Sequence, residues 1–174
     1  LDGNKPLTSA AERGHEVIVD RLLAAGALVN SEDNNGYSPL MLASEDGHLG
    51  IVDRLVIHGA DINHQSEEGR TALMRASFYG HVHVVDRLVS LGCDLNVLDS
   101  IGRTALIIAC QSDNAEVIKI LLAHGADSQI KDKRGKKAID LTQSQEIKDL
   151  LQGDLLAFLS SSSKNHQPSS IIRN

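Results

Sequence analysis

Residues 70–96 read RTALMRASFYGHVHVVDRLVSLGCDLN, and this stretch is one copy of a motif that recurs at a fixed spacing along the chain. Equivalent residues in neighbouring copies are separated by 33 positions, and four copies follow one another without an insertion. The register is kept by Gly3, Gly36, Gly69, Gly102 and Gly135, by Leu7, Leu40, Leu73 and Leu106, and by Ala10, Ala43, Ala76 and Ala109. Self-similarity at a fixed period of this length predicts a stack of repeated units.

Each copy predicts two short helices. The first begins at segments such as SPLMLAS or TALMRAS, with Pro6 or Pro39 in its first turn, where a missing N–H is harmless. A Gly-His pair ends it at residues 14–15, 47–48 and 80–81. The second helix carries apolar residues four positions apart, such as Ile51 and Leu55, and a glycine follows it as a C-cap. The next stretch, such as ADINHQSEEG, is polar and predicts a hairpin-like connector. One pair of helices cannot bury its apolar face, but stacked pairs can.

The order of a Ser-Pro-Leu or Thr-Ala-Leu start, a Gly-His turn and a Gly-Ala-Asp-Ile-Asn end resembles the ankyrin repeat, over residues 1 to about 152. The resemblance implies an all-α repeat solenoid of stacked helix-turn-helix units, joined by β-hairpin-like loops, with capped ends and a concave binding groove. We expect repeats at about residues 1–32, 33–65, 66–98 and 99–131 and a shortened capping repeat at 132–152. Residues 153–174 are expected to form a short helical extension and a disordered Ser-rich tail.

The chain departs from the family pattern in two places. Ankyrin repeats usually have a histidine after their Thr-Pro-Leu start, and this chain has Thr8, Met41, Met74, Ile107 and Asp140 there. The fourth copy also has Asp113-Asn114 in place of Gly-His, and aspartate permits fewer backbone conformations than glycine. We therefore expect the fourth repeat to be a softer point in the stack.

The composition narrows the classes of function. Of 174 residues, 41% are hydrophobic but 2% are aromatic, so the core must be aliphatic. The net charge of −6 argues against nucleic acid and anionic membranes as partners of the whole surface, and no apolar run is long enough to cross a bilayer. Cys93 and Cys110 form neither a disulfide framework nor a zinc set. We expect a monomeric, intracellular domain, in the cytoplasm or the nucleus. Because the chain begins at Leu1 and its first copy lacks half a hairpin, we expect it to be part of a longer protein.

No pattern of catalytic residues is present in the sequence. It has no phosphate-binding loop, no G-x-S-x-G motif and no H-E-x-x-H motif. His15, His48 and His81 fall at the repeat turn, which is a structural position. We therefore expect no catalytic residue, no cofactor, no metal site and no small-molecule substrate.

Positions that vary between copies indicate where a partner binds. The two residues before the turn are Glu12-Arg13, Glu45-Asp46, Phe78-Tyr79 and Gln111-Ser112, so the core does not require the aromatic pair. The resemblance implies that partners dock on hairpin tips and on the exposed faces of first helices. The predicted partner-binding residues are Tyr37, Met41, Glu45, Asp46, Arg70, Met74, Arg75, Phe78, Tyr79, Arg103, Gln111 and Ser112.

The leading hypothesis is a non-catalytic scaffold or adaptor that binds a protein or peptide in the groove. The alternative is a regulatory ankyrin domain of a larger enzyme, channel or transferase, which recruits a substrate or partner. A third interpretation, contact with nucleic acid or phosphoinositide through the basic segment 131–137, ranks lower because that segment lacks stacking aromatics. Residues 31–46 are acidic and the segment 131–137 is basic. A partner with a basic start and an acidic end would therefore match the charges of the chain.

The resemblance also implies one modification. Asparaginyl hydroxylases modify the hairpin asparagine of ankyrin repeats, often with a Leu eight residues earlier and an acid two residues earlier. Asn63 has Leu55 and Asp61 at these positions, and Asn96 has Leu88 and Asp94. The alternative is that both asparagines only stabilise the turn.

Overall fold

The structure is a computed structural model, which describes residues 6–153. Its α-helices form four consecutive pairs: α1 (Pro6–Glu12) and α2 (Glu16–Ala24), α3 (Pro39–Glu45) and α4 (Leu49–Ile57), α5 (Ala72–Tyr79) and α6 (Val82–Ser90), and α7 (Ala105–Gln111) and α8 (Ala115–Ala123). A short 3-10 helix, Ala138–Asp140, and the helical residues 145–153 (α9) follow. No β-strand forms between residues 6 and 153. The predicted all-α repeat solenoid is confirmed.

The helices pack in two rows. The first helices α1, α3, α5 and α7 lie side by side, and each contacts its own second helix, α2, α4, α6 or α8. The leucines of the first row, Leu40, Leu73 and Leu106, are each 1% exposed, and those of the second row, Leu55, Leu88 and Leu121, are fully buried. One continuous aliphatic core therefore runs through the stack, as the near absence of aromatic residues predicted.

A hydroxyl group fixes the start of the first helices. The side chains of Ser38, Thr71 and Thr104 each accept a hydrogen bond of 3.3 Å from the backbone N–H three residues later. The first turn of a helix leaves its N–H groups without backbone partners, and an N-cap side chain supplies one. Because all three residues are buried, water could not replace these bonds.

The turn between the two helices of a unit also joins neighbouring units. The backbone is left-handed there, with φ of 74°, 75° and 74° at Gly14, Gly47 and Gly80. The Nε2 of His48 lies 3.0 Å from the carbonyl oxygen of Glu12, and that of His81 lies 2.7 Å from the carbonyl oxygen of Glu45. Because a carbonyl can only accept, both Nε2 atoms must be protonated donors. The histidines thus bind each unit to the one before it.

The fourth turn makes these contacts differently. Asp113 has a φ of 52° and is the one non-glycine residue in the left-handed region within the described part of the chain. Its Oδ1 accepts a hydrogen bond of 2.6 Å from the hydroxyl of Thr142. The Nδ2 of Asn114 donates to the carbonyl oxygens of Ser77 and Phe78, at 2.9 and 3.0 Å. An amide thus replaces the histidine, and the expectation that this repeat is softer stays a prediction.

The connectors form hydrogen bonds from one unit to the next. The Oδ1 atoms of Asn30, Asn63 and Asn96 accept from the backbone N–H groups of Asp61, Asp94 and Asp127, at 2.9, 2.8 and 3.0 Å. At the tips, the N–H of Ser100 donates to the carbonyl of Glu68 at 2.8 Å, and the N–H of Lys133 donates to that of Ile101 at 3.0 Å. The connectors are therefore hydrogen-bonded turns, and one isolated antiparallel bridge joins Lys131 to Lys137.

The two ends of the described stack differ. At the C-terminal end Ala138, Ile147 and Leu151 are at most 4% exposed, because they pack into the core beyond α7 and α8. At the N-terminal end Ile18 is 47% exposed, so the cap expected there is absent among the described residues. The predicted repeat boundaries stay predictions. Apart from Gly153, the predicted helical extension and Ser-rich tail lie outside the described residues.

Candidate protein-interaction surface

The aromatic pair lies on the surface at the C-terminal end of α5. Phe78 and Tyr79 are each 50% exposed. Their ring centroids are 5.0 Å apart with the planes at 82°, which is the edge-to-face arrangement that aromatic rings favour. The Tyr79 ring also stacks on the His81 ring, with 6.3 Å between the centroids. The two rings therefore support each other while half of each side chain stays accessible to solvent.

Beside this pair, four residues form what we name the Arg75 cluster: Tyr37, Glu45, Arg75 and Tyr79. The guanidinium carbon of Arg75 lies 5.1 Å from the Tyr37 ring centroid and 5.8 Å from that of Tyr79. The Nε of Arg75 donates a hydrogen bond of 2.8 Å to the Oε2 of Glu45. The side chains of Arg75 and Glu45 are 13% and 18% exposed. Cation–π contacts and an ion pair thus join the second unit to the third.

Two pKa shifts follow from this packing. Burial disfavours the charged form of Arg75 most strongly, but the hydrogen bond and the charge of Glu45 outweigh it, so the pKa of Arg75 is raised. The pKa of Tyr79 is also raised, first by its hydrogen bond to Glu45, then by burial and by the charge of Glu45. Arg75 therefore stays charged, and the Tyr79 hydroxyl stays protonated and able to donate.

A pocket of about 270 Å3 opens next to the cluster. Its lining consists of Arg70, Met74, Arg75, Phe78, Tyr79, Arg103 and Ile108. Met74 and Ile108 are 2% and 3% exposed, so they form an apolar floor, and the rings and guanidinium groups form the rim. Within the chain, Arg70 pairs with Glu68 at 3.1 Å and Arg103 with Asp99 at 2.8 Å. The pocket can accept an apolar side chain and can offer arginine N–H donors to a carboxylate beside it.

The structure places most of the predicted partner-binding residues together and corrects two of them. Met41 is 1% exposed and Met74 is 2% exposed, so neither widens the exposed patch. Both follow a helix start, where the family's histidine would stand, and this position points into the core. Met74 keeps a contact with the pocket as part of its floor, whereas Met41 lines no pocket that the described residues form beside Phe78.

The remaining predicted residues are exposed or partly exposed. Gln111 is exposed, and its Oε1 accepts a hydrogen bond of 3.0 Å from Arg103. Asp46 is exposed just after α3, and Ser112 is partly exposed just after α7. Ile108 is not among the predicted partner-binding residues, although it occupies the same varying position as Arg75, one repeat later. That variation was the signal that could have identified it.

The basic segment forms a separate surface. Lys131, Lys133, Arg134 and Lys136 are exposed, whereas Asp132 is 5% exposed. The backbone N–H of Lys136 donates to Asp132 at 2.9 Å, and this bond, with those from Arg134, lowers the pKa of Asp132. One buried carboxylate thus holds the turn together, and the lysine ammonium groups remain on the surface.

Both cysteines are buried. Cys93 is 7% exposed and Cys110 is fully buried, and both are free thiols. Burial, with the nearby charge of Asp94, raises the pKa of Cys93 to about 11. Burial and the charge of Asp113 raise the pKa of Cys110 to about 12. Because a thiolate is the nucleophile, neither residue is activated for chemistry.

Between residues 6 and 153, no helix combines the length and the apolar run that crossing a bilayer requires. Over the same range, no group of three or more His, Cys, Asp or Glu side chains is arranged to hold a metal ion.

Comparison with known proteins identifies the repeat. A protein-family model described as "Ankyrin repeats (3 copies)" matches residues 1–66 and 47–132, which together span more than half of the chain. A comparison with curated proteins found no match. The family model agrees with the repeat that the 33-residue register predicted.

Proposed function

The chain belongs to the ankyrin repeat family, whose repeats are generally protein–protein interaction modules, and from this premise we propose that it is a non-catalytic scaffold or adaptor. The partner is a protein or a peptide segment, and it binds across the aromatic pair and the neighbouring pocket. One observation carries the proposal: Phe78 and Tyr79 are each half exposed at positions where the other repeats have polar residues.

The surface has the composition of an interaction centre. Aromatic and arginine side chains are the residues most often found where interfaces gain their binding energy, and this patch concentrates both. Phe78 and Tyr79 are held in place by each other and by Arg75, so binding requires little further ordering of these side chains. The apolar floor of Met74 and Ile108 lies beside them and can take an inserted side chain.

The charges around the patch favour one orientation of the partner. Asp46 is exposed on the side of the second unit, and Arg70 and Arg103 lie on the rim between the third and fourth units. A segment with an apolar anchor, a basic residue on one side and an acidic residue on the other would meet complementary charges at both ends. Such complementarity governs orientation and association rate more than affinity.

Replacing both Phe78 and Tyr79 with alanine is expected to abolish partner binding. Losing burial of about 100 Å2 of apolar surface at each ring, at about 25 cal/mol per Å2, costs on the order of 2.5 kcal/mol per ring. The measurement is affinity capture from cell lysate with the parent chain and with the double variant, after circular dichroism has shown that both are folded.

Ile57→Ala is the matched control for this experiment. Ile57 is 78% exposed, and it lies on α4 outside the pocket lining. The Ile57→Ala variant should capture the same partners as the parent chain. The proposal would be contradicted if the Phe78→Ala/Tyr79→Ala variant captured the same partners as the parent chain.

We also propose that Asn63 and Asn96 are hydroxylated. Both are exposed, but their side chains bind the next unit, and Leu55 and Leu88, eight residues before them, are fully buried. A hydroxylase that contacts these leucines therefore needs a repeat that has opened locally. Because only a fraction of the molecules is open, the modification is expected to be partial. Mass spectrometry of the protein from its native source should find one added oxygen on a fraction of each asparagine. Unmodified peptides throughout would end the proposal.

A further inference from the structure

The tips of the four connectors lie beside one another in what we name the tip row. Each tip consists of four residues at equivalent positions of the 33-residue register, namely 32–35, 65–68, 98–101 and 131–134. The backbone N–H of Glu67 donates to the carbonyl oxygen of Asn35 at 3.2 Å, and the equivalent N–H groups of the next two tips donate at 2.8 and 3.0 Å. These bonds hold the tips in chain order.

The chemical character of the tips changes along this row. The second tip is acidic, the third is aliphatic and the fourth is basic. The exposed side chains that give them this character are, in chain order, Glu67, Glu68, Leu98, Ile101, Lys131 and Lys133. Because the tips occupy equivalent positions of the register, the repeat itself does not require these differences.

The aliphatic side chains of the third tip are exposed without a structural need. Leu98 is 47% exposed and Ile101 is 48% exposed, and neither is part of the hydrophobic core. The other units have polar residues at these two positions, namely Glu32, Gln65 and Lys131 for the first and Asn35, Glu68 and Arg134 for the second. Two aliphatic side chains on one tip, where polar residues serve the fold equally well, indicate a contact with a partner.

The lysines of the fourth tip carry charges that the chain leaves free for a partner. Within residues 6–153, neither Lys131 nor Lys133 forms an ion pair, and Asp132, the carboxylate of this tip, already pairs with Arg134 at 2.9 Å. The ammonium group of Lys133 donates a hydrogen bond of 2.7 Å to the carbonyl oxygen of Ser100. This bond holds a positive charge directly beside the aliphatic tip.

We propose that the third and fourth tips bind an acidic peptide segment that carries an aliphatic residue. The aliphatic side chain packs against Leu98 and Ile101, and carboxylates pair with Lys131 and Lys133. Neighbouring helices pack about 8–10 Å apart and an extended chain advances about 3.3 Å per residue, so a carboxylate stands about three positions from the aliphatic residue. This inference goes beyond the proposed function, because the contact does not require the aromatic pair.

A membrane or a nucleic acid would also supply negative charge, but the tip row suits them less well. Glu67 and Glu68 are exposed on the neighbouring tip and would face the phosphates of either one. Aliphatic side chains also give nucleic acid bases no ring to stack on. A short peptide segment can cover the third and fourth tips alone, and it thereby avoids the carboxylates of the second.

The test selects peptides from a random library displayed on phage. The bait is the full chain with Phe78→Ala and Tyr79→Ala, so that peptides which need the aromatic pair are not recovered. We expect the recovered peptides to be enriched in Asp or Glu about three positions from Leu, Ile or Val. The tightest-binding peptide, labelled with fluorescein, then serves as the probe in binding titrations.

Two variants of the bait test the two parts of this surface. Lys131→Glu/Lys133→Glu reverses the charges, and Ile101→Asn removes an aliphatic side chain. Each new residue already occupies the same position in another unit, at Glu32, Glu67 and Asn35, so the fold tolerates it. We expect the charge reversal to weaken binding of the probe by about tenfold or more, and Ile101→Asn to weaken it by about fivefold.

Arg13→Glu/Arg21→Glu is the matched control, since it changes the net charge of the bait by the same amount. Both arginines are exposed in the first unit, two units before the aliphatic tip. Charges that lie beyond about 8 Å are largely screened at physiological salt. The control should therefore bind the probe as tightly as the bait does.

Three results would overturn this proposal. The first is a set of recovered peptides without the acidic and aliphatic pattern, and the second is unchanged binding of the probe by both tip variants. The third is binding of the parent chain to vesicles of phosphatidylcholine and phosphatidylserine that Lys131→Glu/Lys133→Glu abolishes, because a membrane surface would then be the occupant. Circular dichroism of each variant shows whether a loss of binding reflects unfolding. Because the bait lacks the aromatic pair, these results do not depend on the proposed function.

Discussion

Replacing Gly47 with alanine is expected to lower the free energy of unfolding by about 3 kcal/mol. The backbone at Gly47 has a φ of 75°, a conformation that costs an L-residue about 1–2 kcal/mol. A Cβ atom there would lie 2.6 Å from the Nδ1 and 2.8 Å from the Cε1 of His81. The His81 ring must then move away from the carbonyl of Glu45, and losing that hydrogen bond and its packing costs about 1–3 kcal/mol more.

Gly59→Ala separates the two contributions. Gly59 has a φ of 86°, but a Cβ atom there would meet nothing within 4 Å. It should therefore cost only the backbone part, about 1–2 kcal/mol. Urea unfolding followed by circular dichroism measures both variants. Equal losses in the two variants would mean that the His81 contact contributes nothing to the stack.

Replacing Leu88 with alanine is the second change with a large expected effect. Leu88 is fully buried in the second row of helices and has a complete unit on either side. Its truncation removes apolar burial and leaves a cavity that the packed helices can only partly close. Changes of this kind cost about 2–5 kcal/mol.

Leu22→Ala is the matched comparison, since Leu22 occupies the same position of the first unit. Leu22 is partly exposed, so it loses less burial and leaves no closed cavity. We expect a cost of roughly 1 kcal/mol. Urea unfolding followed by circular dichroism measures the free energy of unfolding of both variants. If both substitutions cost the same, Leu22 is packed as fully as Leu88, which would contradict its partial exposure in the structure.

The 33-residue register was enough to predict most of the fold. It placed the helix pairs, the turn glycines and the aliphatic core, because each of these repeats the same local chemistry at the same spacing. It also showed that Phe78 and Tyr79 are not needed by the core, and the structure exposes both. Positions that vary between identical environments reveal what the fold does not require.

The 33-residue register does not predict which side chains of neighbouring units contact each other. Glu45 and Arg75 are both predicted partner-binding residues, but in the structure they pair with each other and are 18% and 13% exposed. Tyr37 is also a predicted partner-binding residue, and in the structure it is partly buried beneath Arg75. Such pairs depend on which rotamers neighbouring units select, and a register does not contain that information. The buried positions of Met41 and Met74 were missed for a simpler reason, since the family's histidine position was not recognised as part of the core.

The central claim is that a protein partner contacts the aromatic pair. Site-specific photo-crosslinking tests it most directly, with p-benzoylphenylalanine in place of Tyr79 in one chain and in place of Ile57 in another. Both residues are exposed, at 50% and 78%, so both probes reach solvent. We predict a crosslinked protein that appears with the probe at position 79 and is absent with the probe at position 57. The same crosslinked protein from both positions, or a crosslink from position 57 alone, would contradict the account.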